Sequence, residues 1–180
     1  MSTPDDGKAR DDGKARDDGK ARDDGEARAL AALTASGLAH TVVRHGPVRS
    51  LSEAAAARGV TPGDIVKTMV VRRGDDDYVL VLVPGDRTIS WPRLRTLLGV
   101  NRLSMPDAAA ARAATGYERG TITPFGSLRA WPVVADQRVL GHPVSIGAGA
   151  HGVAVLVAGD DLAAALHATV ADITDPAAPA

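Results

Sequence analysis

The chain has 180 residues, no cysteine, 3% aromatic residues and a formal net charge of −1. That length suits one domain with a real core. The missing cysteines exclude disulfides, thiolate metal sites and a cysteine nucleophile, and fit a reducing, cytoplasmic setting. Few aromatics argue against a base-stacking surface, and no apolar run is long enough to cross a bilayer. Of 21 basic and 22 acidic residues, residues 1–28 hold seven and nine, leaving 14 and 13 in the body. A body so close to neutral has no broad footprint for a long polyanion such as DNA. If nucleic acid is bound, the contact should be short, such as one end of an RNA.

Residues 1–28 contain four tandem hexapeptides, three reading DDGKAR and the last DDGEAR. A six-residue period matches neither helix nor strand, and nothing apolar beyond alanine is present, so a solvated, disordered tail is expected. Residues 29–174 are expected to form the globular domain, and 175–180 a flexible end. Ala27–Ser36 reads as a helix closed by Gly37, and Thr41–Arg44 as a short strand. Ser50-Leu-Ser-Glu53 has capping-box spacing and predicts a helix ending at Gly59. Ile65–Arg73 and Tyr78–Pro84 predict a β-hairpin, and Ser90 a cap for the helix Trp91–Leu98. A strand near Asn101–Leu103, a helix Asp107–Thr115 and a loop Tyr117–Leu128 follow. Val133–Ala135, Val144–Ile146 and Val153–Val157 read as strands, and Asp160–Ala168 as a last helix. Without regular βαβ alternation, the pattern predicts an α+β fold: a mixed, largely antiparallel sheet flanked by helices and curled over a pocket.

Lys67 is the most informative residue. Alternation puts Ile65, Lys67, Met69 and Val71 on one face of their strand, and an amine among apolar neighbours needs a partner or an anion. Beyond residue 28 there are thirteen arginines and this single lysine. A lone lysine in such a chain points to a compact, flexible ammonium, although an amine that snorkels to water fits the pattern as well. Gly120-Thr-Ile-Thr-Pro124-Phe-Gly126 and Ser145-Ile-Gly147-Ala-Gly149 could each present backbone N–H groups to a carbonyl or phosphate, or be plain turns. The five histidines have no metal-ligand spacing, and no serine nucleophile elbow exists. His45, before Gly46-Pro47, could line a pocket; Trp91 and Trp131 read as packing anchors.

The segments Ile65-Val-Lys67-Thr-Met-Val-Val, Thr115-Gly-Tyr117, Gly120-Thr-Ile-Thr-Pro124-Phe-Gly126 and Gly147-Ala-Gly149, in that order, resemble the YbaK/ProXp family of editing domains associated with prolyl-tRNA synthetase. The likeness runs from about His40 to Ile173. It implies a barrel-like mixed sheet and hydrolysis in trans of the ester of mischarged aminoacyl-tRNA, with no metal or organic cofactor. It gives Lys67 the catalytic place. It gives the substrate-gripping loop to Gly120, Thr121, Pro124, Phe125 and Gly126, the small-residue loop beside the ester to Gly147, Ala148 and Gly149, and a pocket position to His45. The expected substrates are alanyl, cysteinyl or seryl esters, with tRNA-Pro as carrier and a synthetase or elongation factor as accompanying partner. Two departures bear on specificity: Gly147 stands where cysteine-clearing members have serine, and Val43 where an aromatic is common. The competing expectation is a non-catalytic pocket that binds an amino acid, a nucleotide or a tRNA end to regulate a partner.

Overall fold

A computed structural model describes residues 11–178, with side chains from residue 24 onward. Among the described residues five α-helices and nine strands lie in the order α1 (Asp11–Ser36), β1 (Thr41–Arg44), α2 (Leu51–Arg58), β2 (Ile65–Gly74), β3 (Asp77–Pro84), β4 (Arg87–Ile89), α3 (Trp91–Leu98), α4 (Ala108–Thr115), β5 (Val133–Asp136), β6 (Pro143–Gly147), β7 (Val153–Ala158), α5 (Gly159–Ala165), β8 (Thr169–Ala171) and β9 (Thr174–Pro176). Seven strands make one mixed sheet in the order β1-β7-β6-β2-β3-β5-β8, and β4 pairs with β9 in a separate ribbon. The β1–β7, β2–β3, β6–β7 and β4–β9 contacts are antiparallel; β2–β6, β3–β5 and β5–β8 are parallel.

Local chemistry explains the helix ends. Ser50 Oγ accepts from Glu53 N at 3.1 Å and α2 closes on Gly59. The returning bond of the capping box goes one residue further out, from Arg49 N to Glu53 Oε2 at 2.7 Å. Asp107 caps α4 by accepting from Ala110 N at 2.7 Å.

The hairpin β2–β3 splits the core by strand alternation. Val66, Val70, Leu80 and Leu82 pack on one face with Leu33, Val144, Ile146 and Val155. Val71, Val79, Val81 and Val83 pack on the other with Leu94 and Ile173. Burying a valine or leucine contributes about 1.5–3 kcal/mol, so β3, buried from Tyr78 to Pro84, is the stiffest part of the frame. Among the described residues no helix is long and apolar enough to cross a membrane.

Several expectations need correction. The tail expected to be disordered over residues 1–28 is helical from Asp11, in one helix with Ala27–Ser36; residues 1–10 lie outside the described residues. No strand forms at Asn101–Leu103; the only pairing there is a single bridge between Ser104 and Arg72. Residues expected in the flexible end belong to β9, where Asp175 and Pro176 pair with Thr88 and Arg87. The last helix is also shorter, and His167 lies beyond it with φ of 48°.

Candidate active site

A cavity of about 750 Å³ opens where β2 parts from β6. Its wall takes in Ile65–Val70 of β2, α2 and the segment before it, the start of α4, Arg119-Gly120, Ile122 and Gly147. Lys67 is half-buried in this wall, on the face of β2 that carries Met69 and Val71. Its ammonium donates to the carbonyls of Gly85 at 3.2 Å and Arg87 at 2.8 Å, in the turn from β3 to β4. An ammonium has three protons to donate, so this anchored group keeps one for a ligand. Burial pushes its pKa below the usual lysine range, and the charge of nearby Asp86 pulls it part of the way back.

Lys67, Gly120 and Gly147 therefore share one cavity. The other residues singled out in the two loops stand behind its wall. Thr121 and Phe125 are buried, and Pro124 is half-exposed between them. Tyr117 holds the loop in shape: its hydroxyl donates to Phe125 O at 2.7 Å. Gly149 N donates to Thr121 O at 3.2 Å, which ties the two loops together. Ala148 N is likewise committed, to Val153 O at 3.1 Å. The N–H groups of Ala148 and Gly149, which the sequence offers as donors to a substrate carbonyl, thus hold the loop instead.

Helix α1 braces both loops from the rear. Arg28 lies 4.5 Å over the Tyr117 ring and donates to Gly126 O and Gly116 O, each at 2.8 Å. Gly25 is buried against Gly149, whose φ is 83°; a Cβ on either glycine would overlap the other's carbonyl oxygen. The last hexapeptide, which carries Glu26 where the three before it carry lysine, is therefore part of the site's scaffold, and Glu26 itself pairs with Arg44 of β1.

Sequence reasoning missed the cavity's charge. Arg49, Arg58 and Arg119 join Lys67 in its wall, against one carboxylate, Asp107, which is occupied in capping α4. Among the described residues none of these four cations pairs with a carboxylate. Arg58 is half-buried and has only neutral acceptors, His45 Nε2 at 3.2 Å and Ser145 Oγ at 3.4 Å. Burial lowers its pKa. His45 itself lies outside the cavity wall and touches it through Arg58. The place of Arg58 in the last turn of α2 looks in sequence like an ordinary answer to the helix dipole. Among the described residues no group of three or more His, Asp or Glu side chains is placed to hold a metal ion.

The model of the aminoacyl-tRNA editing domain matches residues 45–165, the stretch that holds the cavity. Over 93 residues, 51% of this chain, the sequence is 32% identical to a proline--tRNA ligase of Bacillus licheniformis, and over 82 residues 42% identical to that of Desulfotalea psychrophila. The match spans only 16% and 14% of those ligases. A protein of Enterococcus faecalis named as a candidate Cys-tRNA(Pro)/Cys-tRNA(Cys) deacylase, EbsC, is 25% identical over 126 residues, 69% of this chain and 77% of its own length. Among solved structures, a candidate trans-editing enzyme for prolyl-tRNA synthetase superposes with a TM-score of 0.76 at 27% identity, covering 84% of this chain and 97% of its own. Hypothetical protein APE2540 gives 0.73 at 28% identity, covering 79% and 96%. The family model takes in Lys67, both glycine loops and well over half of the sequence: the chain belongs to the aminoacyl-tRNA editing domain family.

Proposed function

We propose that the protein is a trans-editing deacylase that hydrolyses the ester of mischarged aminoacyl-tRNA. The observation that carries this reading is the cavity that gathers Lys67, Gly120 and Gly147 under four cations with no carboxylate partner among the described residues. A cavity with that charge suits the phosphates and the polarised ester at the 3′ end of a tRNA, while the nearly neutral body keeps the contact local. Water adds to the ester carbonyl, the bond to the ribose oxygen breaks, and the amino acid leaves as a carboxylate while the ribose hydroxyl regains a proton. Activated esters need little beyond orientation and electrostatic support. Lys67 supplies the charge from an anchored position, and Gly120 and Gly147 allow close backbone approach. The substrate's own ribose hydroxyl serves to activate the water. Weak tRNA binding by the body leaves a role for a synthetase or elongation factor that delivers the substrate.

The names of the relatives point to tRNA-Pro as carrier, and small esters such as alanyl, cysteinyl and seryl fit a pocket that sorts by size. One methylene separates substrates by only about 1–3 kcal/mol, so more than one ester should be cleaved. The test is release of labelled alanine, cysteine and serine from tRNA-Pro by the purified protein. Release of at least one above the spontaneous rate supports the reading. Binding of tRNA ends without release of any would replace it with a non-catalytic pocket module.

A further inference from the structure

Strand β2 has two very different edges. One pairs with β3 without a break from Val66, opposite Pro84, to Arg72, opposite Tyr78. The other meets β6 only at Ile65 and Val66 and meets Ser104 only at Arg72. Between those points the edge has no strand beside it, and residues 67–70 there line the cavity.

Backbone alternation settles which groups face the gap. Arg72 N donates to Ser104 O at 2.8 Å and Ser104 N to Arg72 O at 3.2 Å, so both polar groups of Arg72 point away from β3. Val66 sits opposite Pro84, which has no N–H to give, and it too turns toward β6. In an antiparallel ladder the direction repeats every second residue. Thr68 and Val70 therefore aim their N–H and C=O groups into the cavity, and among the described residues none of these four groups has a hydrogen-bond partner. Thr68 adds another orphan, because its Oγ1 is buried without a partner. Lys67, Met69 and Val71 turn their backbone groups to β3 instead. Buried polar groups in folded proteins are almost always satisfied, so the buried Thr68 hydroxyl beside four backbone groups that face the cavity marks this edge as a place for a ligand.

We propose that this free edge, Thr68 to Val70, seats the aminoacyl group itself, which docks as a strand one residue long. The proposal rests on the deacylase reading above. An aminoacyl ester carries what one residue of an extended chain carries: a donor, its α-ammonium, and an acceptor, its carbonyl oxygen, flanking one Cα. Pairing with the edge gives the ester carbonyl a backbone N–H and the ammonium a neighbouring C=O, the exchange that an antiparallel bridge makes. This supplies the carbonyl donor that the committed N–H groups of Ala148 and Gly149 do not. The edge reads main chain only. Selection by size is left to the side chains around it, such as Met69, Ala111 and Ile122, and a blocked amine should be refused.

Amide hydrogen exchange by NMR tests this residue by residue, with adenosine bearing alanine through a non-hydrolysable 3′ amide as probe. In the free protein the amides of Thr68 and Val70 should exchange fast and those of Lys67, Met69 and Val71 slowly. Saturating probe should slow Thr68 and Val70 by roughly tenfold or more, and the N-acetylated probe should bind at least several-fold more weakly. If the probe shifts the amides of Gly120 and Gly147 but leaves exchange at Thr68 and Val70 unchanged, the edge is overturned while the deacylase reading stands. Equal binding of free and acetylated probes overturns the ammonium contact. If the probe does not bind and no ester is released, both readings fall together.

Discussion

Two polar regions lie on either side of the β2–β3 hairpin, and they are finished to different degrees. Around Asp136, at the end of β5, everything is paired. The side chain is fully buried, and Oδ2 accepts from Ile173 N at 3.1 Å and Thr174 Oγ1 at 2.9 Å. Oδ1 accepts from the backbone and guanidinium of Arg138 at 3.0 and 3.2 Å. Arg138 and Arg93 go on to share Asp172, and Arg93 reaches Asp175 as well. Across the hairpin, among the described residues, the cavity holds four cations without a carboxylate partner, a buried hydroxyl without a bond and a strand edge without a neighbour. The closed network ties the C-terminal strands to the sheet. The open one lowers stability for as long as nothing fills it, and that is the mark of a binding site.

The closed network should respond most strongly to substitution. Asp136→Ala leaves two buried donors without an acceptor, each costing about 1–3 kcal/mol. At 2–4 °C per kcal/mol for a chain of this size, melting should fall by roughly 5–20 °C, while the fraction still folded keeps its turnover. Calorimetry paired with a deacylation assay checks both halves.

A smaller loss should follow Arg28→Ala. Two bonds from a guanidinium to carbonyls and one cation–π contact hold the back of the loop, about 1–3 kcal/mol in all. Because Arg28 touches the scaffold and not the cavity, kcat should fall with KM nearly unchanged, and Arg28→Lys should restore part of it. Chains beginning at Asp23 and at Ala29 sharpen the same point, since only the first keeps Gly25 and Arg28.

Arg58→Ala removes a cavity cation that holds only neutral partners. KM for aminoacyl-tRNA should rise several-fold, and the dependence of binding on salt should weaken. The effect of pH should be the slightest. Burial lowers the pKa of Lys67, so its ammonium loses the proton earlier than an ordinary lysine on the alkaline side. Catalytic release should decline there, and the limb should vanish in Lys67→Arg. The sign for stability is opposite: a lysine whose folded pKa is depressed binds its proton less readily when folded. The charge on Lys67 therefore costs stability at neutral pH, and that cost is relieved as pH rises through the depressed value.

Much of this was legible in the chain. The spacing Ser50-x-x-Glu53 with Gly59, and Asp107 with Gly116, marks two helices almost to the residue, because caps act through local bonds. Alternation in Ile65–Arg73 and Tyr78–Pro84 gives the hairpin that carries Lys67. What stayed hidden depends on distant partners. Strands β4, β8 and β9 have three residues each, too few to show alternation, and β9 reads Thr-Asp-Pro, so only pairing makes them strands. The docking of the last hexapeptide rests on Gly25 against Gly149, Arg28 on the loop and Glu26 with Arg44; the change from lysine to Glu26 marks this unit in the sequence, but only the fold shows its partners. Likewise Thr68 shows itself as an orphan only once β6 is seen to leave the strand after Val66.

Lys67→Ala decides whether the open cavity serves the substrate or the fold. Single-turnover hydrolysis of aminoacyl-tRNA-Pro and thermal melting at pH 7 would be measured on the same preparations. The rate should fall by roughly 10²–10³-fold, the scale of one lost electrostatic stabiliser, with the melting temperature unchanged or higher. A variant that melts several degrees lower and cleaves the ester as fast as the wild type would make Lys67 a clamp for the β3–β4 turn, and would contradict its role in catalysis.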